Sequence, residues 1–219
     1  MQQNGVIMLS EELLIGTGAH RRVYINPEDP AQCIKINFGG FGDHLREMGY
    51  RKSRERRHLQ SSLLTRYYGE VSTNMGTGYL FERIADYDGA TSSTIEEIIK
   101  AEQKARDEKK SVKEIMGTEK EVPSAVEAVL AFRRELFREN IIIPDMAAYN
   151  YMVQFVSPDS WRIRIVDDIG SPTLIPVVYY IDFLGRSHVR RRWLRFIQWI
   201  QRKFPGFLSE EERRDLVTF

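Results

Sequence analysis

Four groups of residues in this 219-residue chain have the types and spacing for phosphate and metal chemistry. Handling a phosphate needs backbone amides close to its oxygens, a cation facing them, and hard oxygen ligands for magnesium. Ile15-Gly16-Thr17-Gly18-Ala19-His20-Arg21-Arg22-Val23-Tyr24 offers the amides, since glycine brings backbone close with no Cβ in the way. It follows I-G-x-G-x-x-G-x-V-Y except that Arg21 stands at the third glycine position. Lys35, in Cys33-Ile34-Lys35-Ile36, offers the cation. A lysine set in so apolar a strand calls for a carboxylate partner, and Glu47 or Glu55 in the next segment can supply it. Asp145 and Asn150, five residues apart in PDMAAYNYMVQ, offer a carboxylate and an amide. Ile165-Val166-Asp167-Asp168-Ile169-Gly170 is an apolar strand ending in two acids. Each piece alone also reads as an ordinary turn or strand end. Their order along the chain, each on an element suited to the chemistry, is what gives them weight.

The elements that must position them read as follows. Strands are expected at residues 6–9, 21–26, 32–38, 69–73 and 78–84, separated by turn signals at Gly16 and Gly18, Pro27 and Pro30, and Asn74 to Gly76. A charged, helix-compatible run, HLREMGYRKSRERRHLQSSLL, separates the third strand from the fourth. Beyond residue 85 the character becomes helical. Capping boxes are expected at Thr94/Glu97, Ser124/Glu127 and Ser209/Glu212. The second opens a helix with apolar positions Val126, Val129, Leu130, Leu136 and Phe137, stopping at Asn140. Residues 151–157 and 161–168 alternate as a hairpin around Pro158-Asp159. The charge-dense KAEQKARDEKKSVKEIMGTEKE (100–121) reads as a solvated helix or mobile loop.

Composition narrows the function. Hydrophobic residues at 42% and charged residues at 29% are a globular balance, and a net charge of +1 argues against a dedicated nucleic-acid binder. The single cysteine, Cys33, excludes an internal disulfide and a cysteine-rich zinc site. His20, His44, His58 and His188 show no metal-ligand spacing. No signal-peptide pattern and no run of eighteen apolar residues is visible, so a cytoplasmic protein without a transmembrane segment is expected.

The chain resembles the YrbL family, the bacterial PhoP regulatory network proteins, which are kinase-like. The stretches that carry this are IGTGAHRRVYINPEDPAQCIKI, TGYLFERIADYDG and VDDIGSPTLIP, and it covers about residues 9 to 200. The motif order is that of protein kinases: Gly-rich loop, strand lysine, helix glutamate, catalytic loop, D-F-G. The resemblance implies an α+β, compact two-lobed protein kinase-like fold. Residues 1–84 would form a small β-rich N-lobe with one helix, and residues 85–219 a mainly helical C-lobe with the catalytic hairpin and basic C-terminal helices. It implies ATP and Mg2+ (or Mn2+) as cofactors. Gly16, Thr17 and Gly18 would cradle the phosphates, and Lys35 would contact the α/β-phosphates. Lys35 would pair with Glu47, which the R-E-M context favours over Glu55. The backbone from Glu82 to Ile84 would meet the adenine. Asp145 takes the catalytic-base position, with Asn150 and Asp168 as metal ligands and Asp167 the rival of Asp168.

The sequence departs from the kinase pattern at several points. Arg21 replaces the last loop glycine, Ile143-Pro144 replaces His-Arg before Asp145, and Ala147 stands where Ser/Thr protein kinases carry lysine. No A-P-E follows Gly170. The expected function is phosphoryl transfer to an unidentified protein or small-molecule acceptor. The alternative is a catalytically inactive pseudokinase acting as a regulatory binding module. For that module, the basic run containing Arg190, Arg191, Arg192, Arg195, Arg202 and Lys203 (190–203) would meet an anionic partner such as acidic lipid, nucleic acid or an acidic protein.

Overall fold

The computed structural model describes residues 2–3, 5–18, 20–38, 42–171 and 177–219; Ala19 of the glycine loop and 172–176 of the DDIGSPTLIP motif lie outside the described residues. Strands β1 (Gln2–Gln3), β2 (Val6–Ile7), β3 (Leu14–Thr17), β4 (Arg21–Ile25) and β5 (Gln32–Asn37) come first. Helix α1 (Gly42–Arg56) follows, then β6 (Tyr67–Thr73) and β7 (Gly76–Glu82). They form a seven-stranded sheet in the order β1-β2-β6-β7-β5-β4-β3, antiparallel except for β2 beside β6. Period-two alternation on β5 sends Ile34 and Ile36 into one apolar cluster with Tyr24 and Ile7. It sends Cys33 and Lys35 to the opposite face, where Cys33 packs with Tyr79 and Phe81. Gly78 on β7 is required by that packing, because a Cβ there would lie 2.5 Å from Ile34 Cγ2.

Several expected elements stop short, two of them early in the chain for reasons that the contacts show. The strand expected at 6–9 stops at Ile7, since the Asn74 side chain takes both backbone groups of Leu9, at 2.8 and 3.0 Å. The charged helix ends at Arg56, with His58 left-handed at φ 53°. The chain then runs on to place Leu63 in the second core, where its carbonyl accepts the Ile165 N–H at 2.7 Å.

The second part comprises β8 (Ser93–Thr94), α2 (Ile95–Glu108), α3 (Val112–Met116), α4 (Ala125–Glu139), β9 (Tyr151–Ser157), β10 (Ser160–Ile165), α5 (Asp182–Lys203) and α6 (Glu210–Val217). All three expected capping boxes form, and Ser111/Glu114 adds a fourth at α3. Asn140 ends α4 at φ 49°. The buried stripe of α4 is Ala125, Ala128, Val129, Phe132 and Leu136, while Leu130, expected inside, is 39% exposed. Small alanines let α4 approach its neighbours closely, which shifts the buried face by one position. Phe132, Tyr151, Trp193 and Phe196 form the aromatic centre, with Phe132 4.0 Å from Tyr151 and Trp193 5.5 Å from Phe196 between ring centroids. The fold is mixed α+β, and no helix among the described residues is long and apolar enough to cross a membrane.

Residues 100–121 are neither loose nor wholly solvated. They complete α2, form α3, and end with Lys120 buried between Asp86 (2.6 Å) and Asp88 (2.9 Å). Asp86 also accepts from Ser92 Oγ and the Phe155 N–H. Replacing Lys120 with Met removes charged hydrogen bonds from a buried carboxylate that keeps two donors. The expected loss in urea unfolding is about 2 kcal/mol, against no measurable change for Lys109→Met, which is exposed.

Candidate functional site

A cleft of about 840 Å³ opens where the seven-stranded sheet, the β9–β10 hairpin and the start of α2 come together. Gly16, Thr17, Gly18, Lys35, Glu82, Ile84, Asn150, Asp167 and Asp168 all line it. Glu47 lies behind it, 1% exposed on α1. Asp145 is exposed and does not line the cleft. The structure therefore gathers every sequence-expected binding residue except Glu47, and leaves Asp145 at the side.

Lys35 sits opposite Val23 and Tyr79 in the ladder and is 5% exposed. Its ammonium donates to the Val166 carbonyl at 2.5 Å and lies 4.3 Å from the Phe81 ring centre. It makes no direct bond to Glu47, whose carboxylate is taken by Arg21 at 3.1 Å and Arg51 at 2.9 Å. Burial pushes the Glu47 carboxyl up, but the Lys35 ammonium, ahead of Arg51 and Arg21, overrides this and holds it down at about 2. Glu55, the alternative partner, is exposed at the far end of α1. Arg51 was not legible as a site residue, although it stands one helical turn beyond Glu47, the spacing at which side chains meet.

Arg21 fills the loop's third glycine position with a guanidinium that bridges Glu47 and Asp167, the latter at 2.5 Å. Arg46 holds Asp168 in the same way, also at 2.5 Å. Asp168 is left-handed at φ 60°, a conformation that aspartate tolerates, and its N–H is capped by the Asp167 carboxylate at 2.8 Å. Gly170 follows at φ +97°, where a Cβ would crowd Tyr179 Oη at 3.0 Å and Arg46 at 3.1 Å. The strand expected to run to Asp168 stops at Ile165 because its next groups are diverted. The Val166 N–H goes to the Asn150 carbonyl at 3.0 Å, and the Val166 carbonyl goes to Lys35. That exchange brings Asn150, from the 3-10 turn Ala148–Asn150, beside the two acids.

Asp145 precedes this turn, and its charge joins that of Asp168 on nearby phenols. The Tyr149 hydroxyl is pushed up chiefly by burial, then by Asp168 and Asp145. Glu82 turns its carboxylate to Arg164 at 2.5 Å, and its N–H donates to the Arg66 carbonyl at 2.9 Å, which leaves its carbonyl, met by the Cys33 thiol at 3.8 Å, as the group nearest to free for a ligand. The Ile84 carbonyl accepts from the Ser92 N–H at 3.2 Å, while its own N–H makes no hydrogen bond among the described residues. Ile15, Val23, Cys33 and Met152 add an apolar slot to the cleft. Burial pushes the Cys33 thiol up to about 11, so it acts there as a small apolar side chain. Two carboxylates and an amide oxygen, all hard donors in one cleft, suit magnesium, with each carboxylate now neutralised by an arginine.

The family described as PhoP regulatory network protein YrbL matches residues 7–201 of this chain. The uncharacterized protein YrbL of Escherichia coli (strain K12) is 32% identical over 196 residues, covering 88% of this chain and 87% of that protein. The uncharacterized protein YrbL of Shigella flexneri is similar to the same extent, 32% identical over 196 residues.

Proposed function

The chain belongs to the YrbL family, and from that premise we propose that it is a kinase-like protein that binds ATP with magnesium and transfers the γ-phosphoryl group to an acceptor hydroxyl. In this reading the seven-stranded sheet with α1 is the smaller lobe of a kinase-like fold and the helices with the β9–β10 hairpin the larger. The observation that carries it is the content of the cleft: Gly16 to Gly18, Lys35, Asn150 and Asp168 face one space, beside an apolar slot. The slot formed by Ile15, Val23, Cys33 and Met152 suits a flat purine, and the unbonded Ile84 N–H is a donor for its edge. Lys35 exchanges the Val166 carbonyl for phosphate oxygens, which its four-carbon stem permits. Asn150 and Asp168 would hold the metal, which would supply charge neutralisation at the phosphate oxygens. Asp145 orients the acceptor hydroxyl and takes its proton.

A specific observation favours a second reading, a nucleotide-responsive regulatory module without transfer: Arg21 and Arg46 already engage both cleft acids. Thermal unfolding with and without ATP and magnesium tests nucleotide binding in either reading. At a hundred times the dissociation constant the nucleotide stabilises the chain by about 2.7 kcal/mol. No shift at millimolar ATP overturns both, and a shift without turnover selects the second.

A further inference from the structure

The stretch from Pro144 to Asn150 contributes no cation of its own, but a helix from elsewhere in the chain runs along it. On α5, residues 188, 192, 195 and 199 are spaced by four, three and four positions and so share one face. The first and last of these residues touch the stretch and its approach. His188 Nε2 lies 3.1 Å from the Ile143 carbonyl, and the Trp199 ring meets Tyr149 at 6.4 Å between centroids. Arg192 and Arg195 occupy the face between these contacts, as Asp145 does between Ile143 and Tyr149. Arg192 is half-buried there and Arg195 is exposed, with Arg191 adjoining.

None of these three arginines makes a hydrogen bond, ion pair or ring contact among the described residues, and neither does Arg202, unlike Arg186, Arg190 and Lys203. Arg186 pairs with Asp182 at 2.8 Å, Arg190 lies 4.5 Å over the Phe219 ring, and Lys203 pairs with Glu96 at 2.8 Å. The run is therefore not a continuous track for a polyanion or a membrane. It holds a cluster of three cations with no direct ion-pair partner among the described residues, beside one exposed carboxylate. Burial depresses Arg192, and the Arg195 charge depresses it further, opposed by Asp145 and Asp168. Three like charges within two helical turns cost stability unless an anion joins them.

We propose that Arg192 and Arg195, flanked by Arg191, form an anion-binding acceptor subsite beside Asp145, and that the acceptor is a small hydroxyl compound carrying a phosphate group. Three guanidiniums match a phosphate dianion better than a single carboxylate, in charge and in forked donor geometry. The identity of the ligand as an acceptor rests on the phosphoryl-transfer reading; the anion site does not. In the transfer, the acceptor oxygen bonds to the γ-phosphorus as the bond to the ADP oxygen breaks. The hydroxyl proton passes to Asp145, and the acceptor's own phosphate stays on the arginines.

The test is a backbone-amide NMR titration of the full, nucleotide-free chain with inorganic phosphate at constant ionic strength. Two sets of shifts are expected, one at residues 146–149 and 188–196, the other around Gly16 to Gly18. Arg192→Met with Arg195→Met weakens the first set at least tenfold and leaves the second, Lys35→Met does the reverse, and Arg202→Met changes neither. Should the double variant fail to fold, Arg195→Met alone is expected to weaken the first set about threefold, and Arg192→Lys to weaken it less than that. Unchanged affinity in the arginine variants, or equal shifts from chloride, overturns the subsite. Loss of the first set in those variants together with no ATP stabilisation of the wild type leaves the subsite standing and removes the transfer reading.

Discussion

Replacing Glu47 with Gln lowers the unfolding free energy by about 3–5 kcal/mol, the usual cost of breaking a buried ion pair. Glu47 is 1% exposed and accepts from Arg21 and from Arg51, with the Lys35 charge close behind. The amide keeps a hydrogen-bond acceptor but no charge, so buried Arg21 and Lys35 and half-buried Arg51 lose their common counter-ion. Arg21 then keeps Asp167, and Arg51 the carbonyl and hydroxyl of Thr65. The same pairing gives a pH dependence. The carboxyl has an ordinary value of 4.5 and is held at about 2 in the folded chain. A depressed carboxyl contributes stability above its unfolded value and loses it as pH falls through its folded one. Urea unfolding is therefore expected to show a loss that sets in near pH 4.5 and continues until the pH is below about 2. Glu47→Gln flattens that slope. Glu55→Gln is expected to change stability by less than about 0.5 kcal/mol, because Glu55 is exposed. Equal effects at both positions contradict the assignment of Glu47 as the buried anchor.

Asp168→Ala is expected to lower phosphoryl transfer by at least about 100-fold, and Asp145→Ala by about 10²–10⁴-fold. The two losses have different causes. Asp168 offers a hard oxygen ligand inside the cleft, so its removal weakens both metal-dependent nucleotide binding and turnover. Asp145 stands outside the cleft lining, so its removal lowers turnover with ATP affinity preserved. Asp145→Ala stays folded because Asp145 is exposed, whereas Asp168→Ala also releases Arg46 and puts alanine at φ 60°, so Asp168→Asn, which tolerates that conformation, is measured beside it. Radiolabelled ATP turnover in magnesium or manganese measures this, and undiminished turnover in both variants refutes the roles given to them.

What could be read from the sequence follows the range over which each feature is determined. The capping boxes at Thr94, Ser124 and Ser209 are set within four residues and form as read. So is the Asn140 helix stop. Lys35 was legible because it is a lone cation among apolar residues of one strand, and it falls with Cys33 on the face opposite Ile34 and Ile36. The arginine partners were not, since Arg21 meets Asp167 across 146 positions and Arg46 meets Asp168 across 122. Nothing local announces such a pair. Lys120 illustrates the same limit: its surroundings are charge-dense and read as solvated, yet Asp86 and Asp88 in a distant turn draw it inside. The basic run on α5 was legible as a charge pattern only. Which of its cations are satisfied depends on Phe219, Glu96 and Asp182, and only the fold brings the first two to it.

The proposed function requires a nucleotide and its metal in the cleft between the sheet and the β9–β10 hairpin. A crystal structure of the chain with a non-hydrolysable ATP analogue and manganese, read by anomalous scattering, tests it most directly. Manganese is expected on Asn150 and Asp168, with Lys35 on the phosphates and the purine against the Ile84 amide. An analogue bound elsewhere, or a cleft in which Arg21 and Arg46 still hold Asp167 and Asp168 with no metal between them at saturating nucleotide, contradicts it.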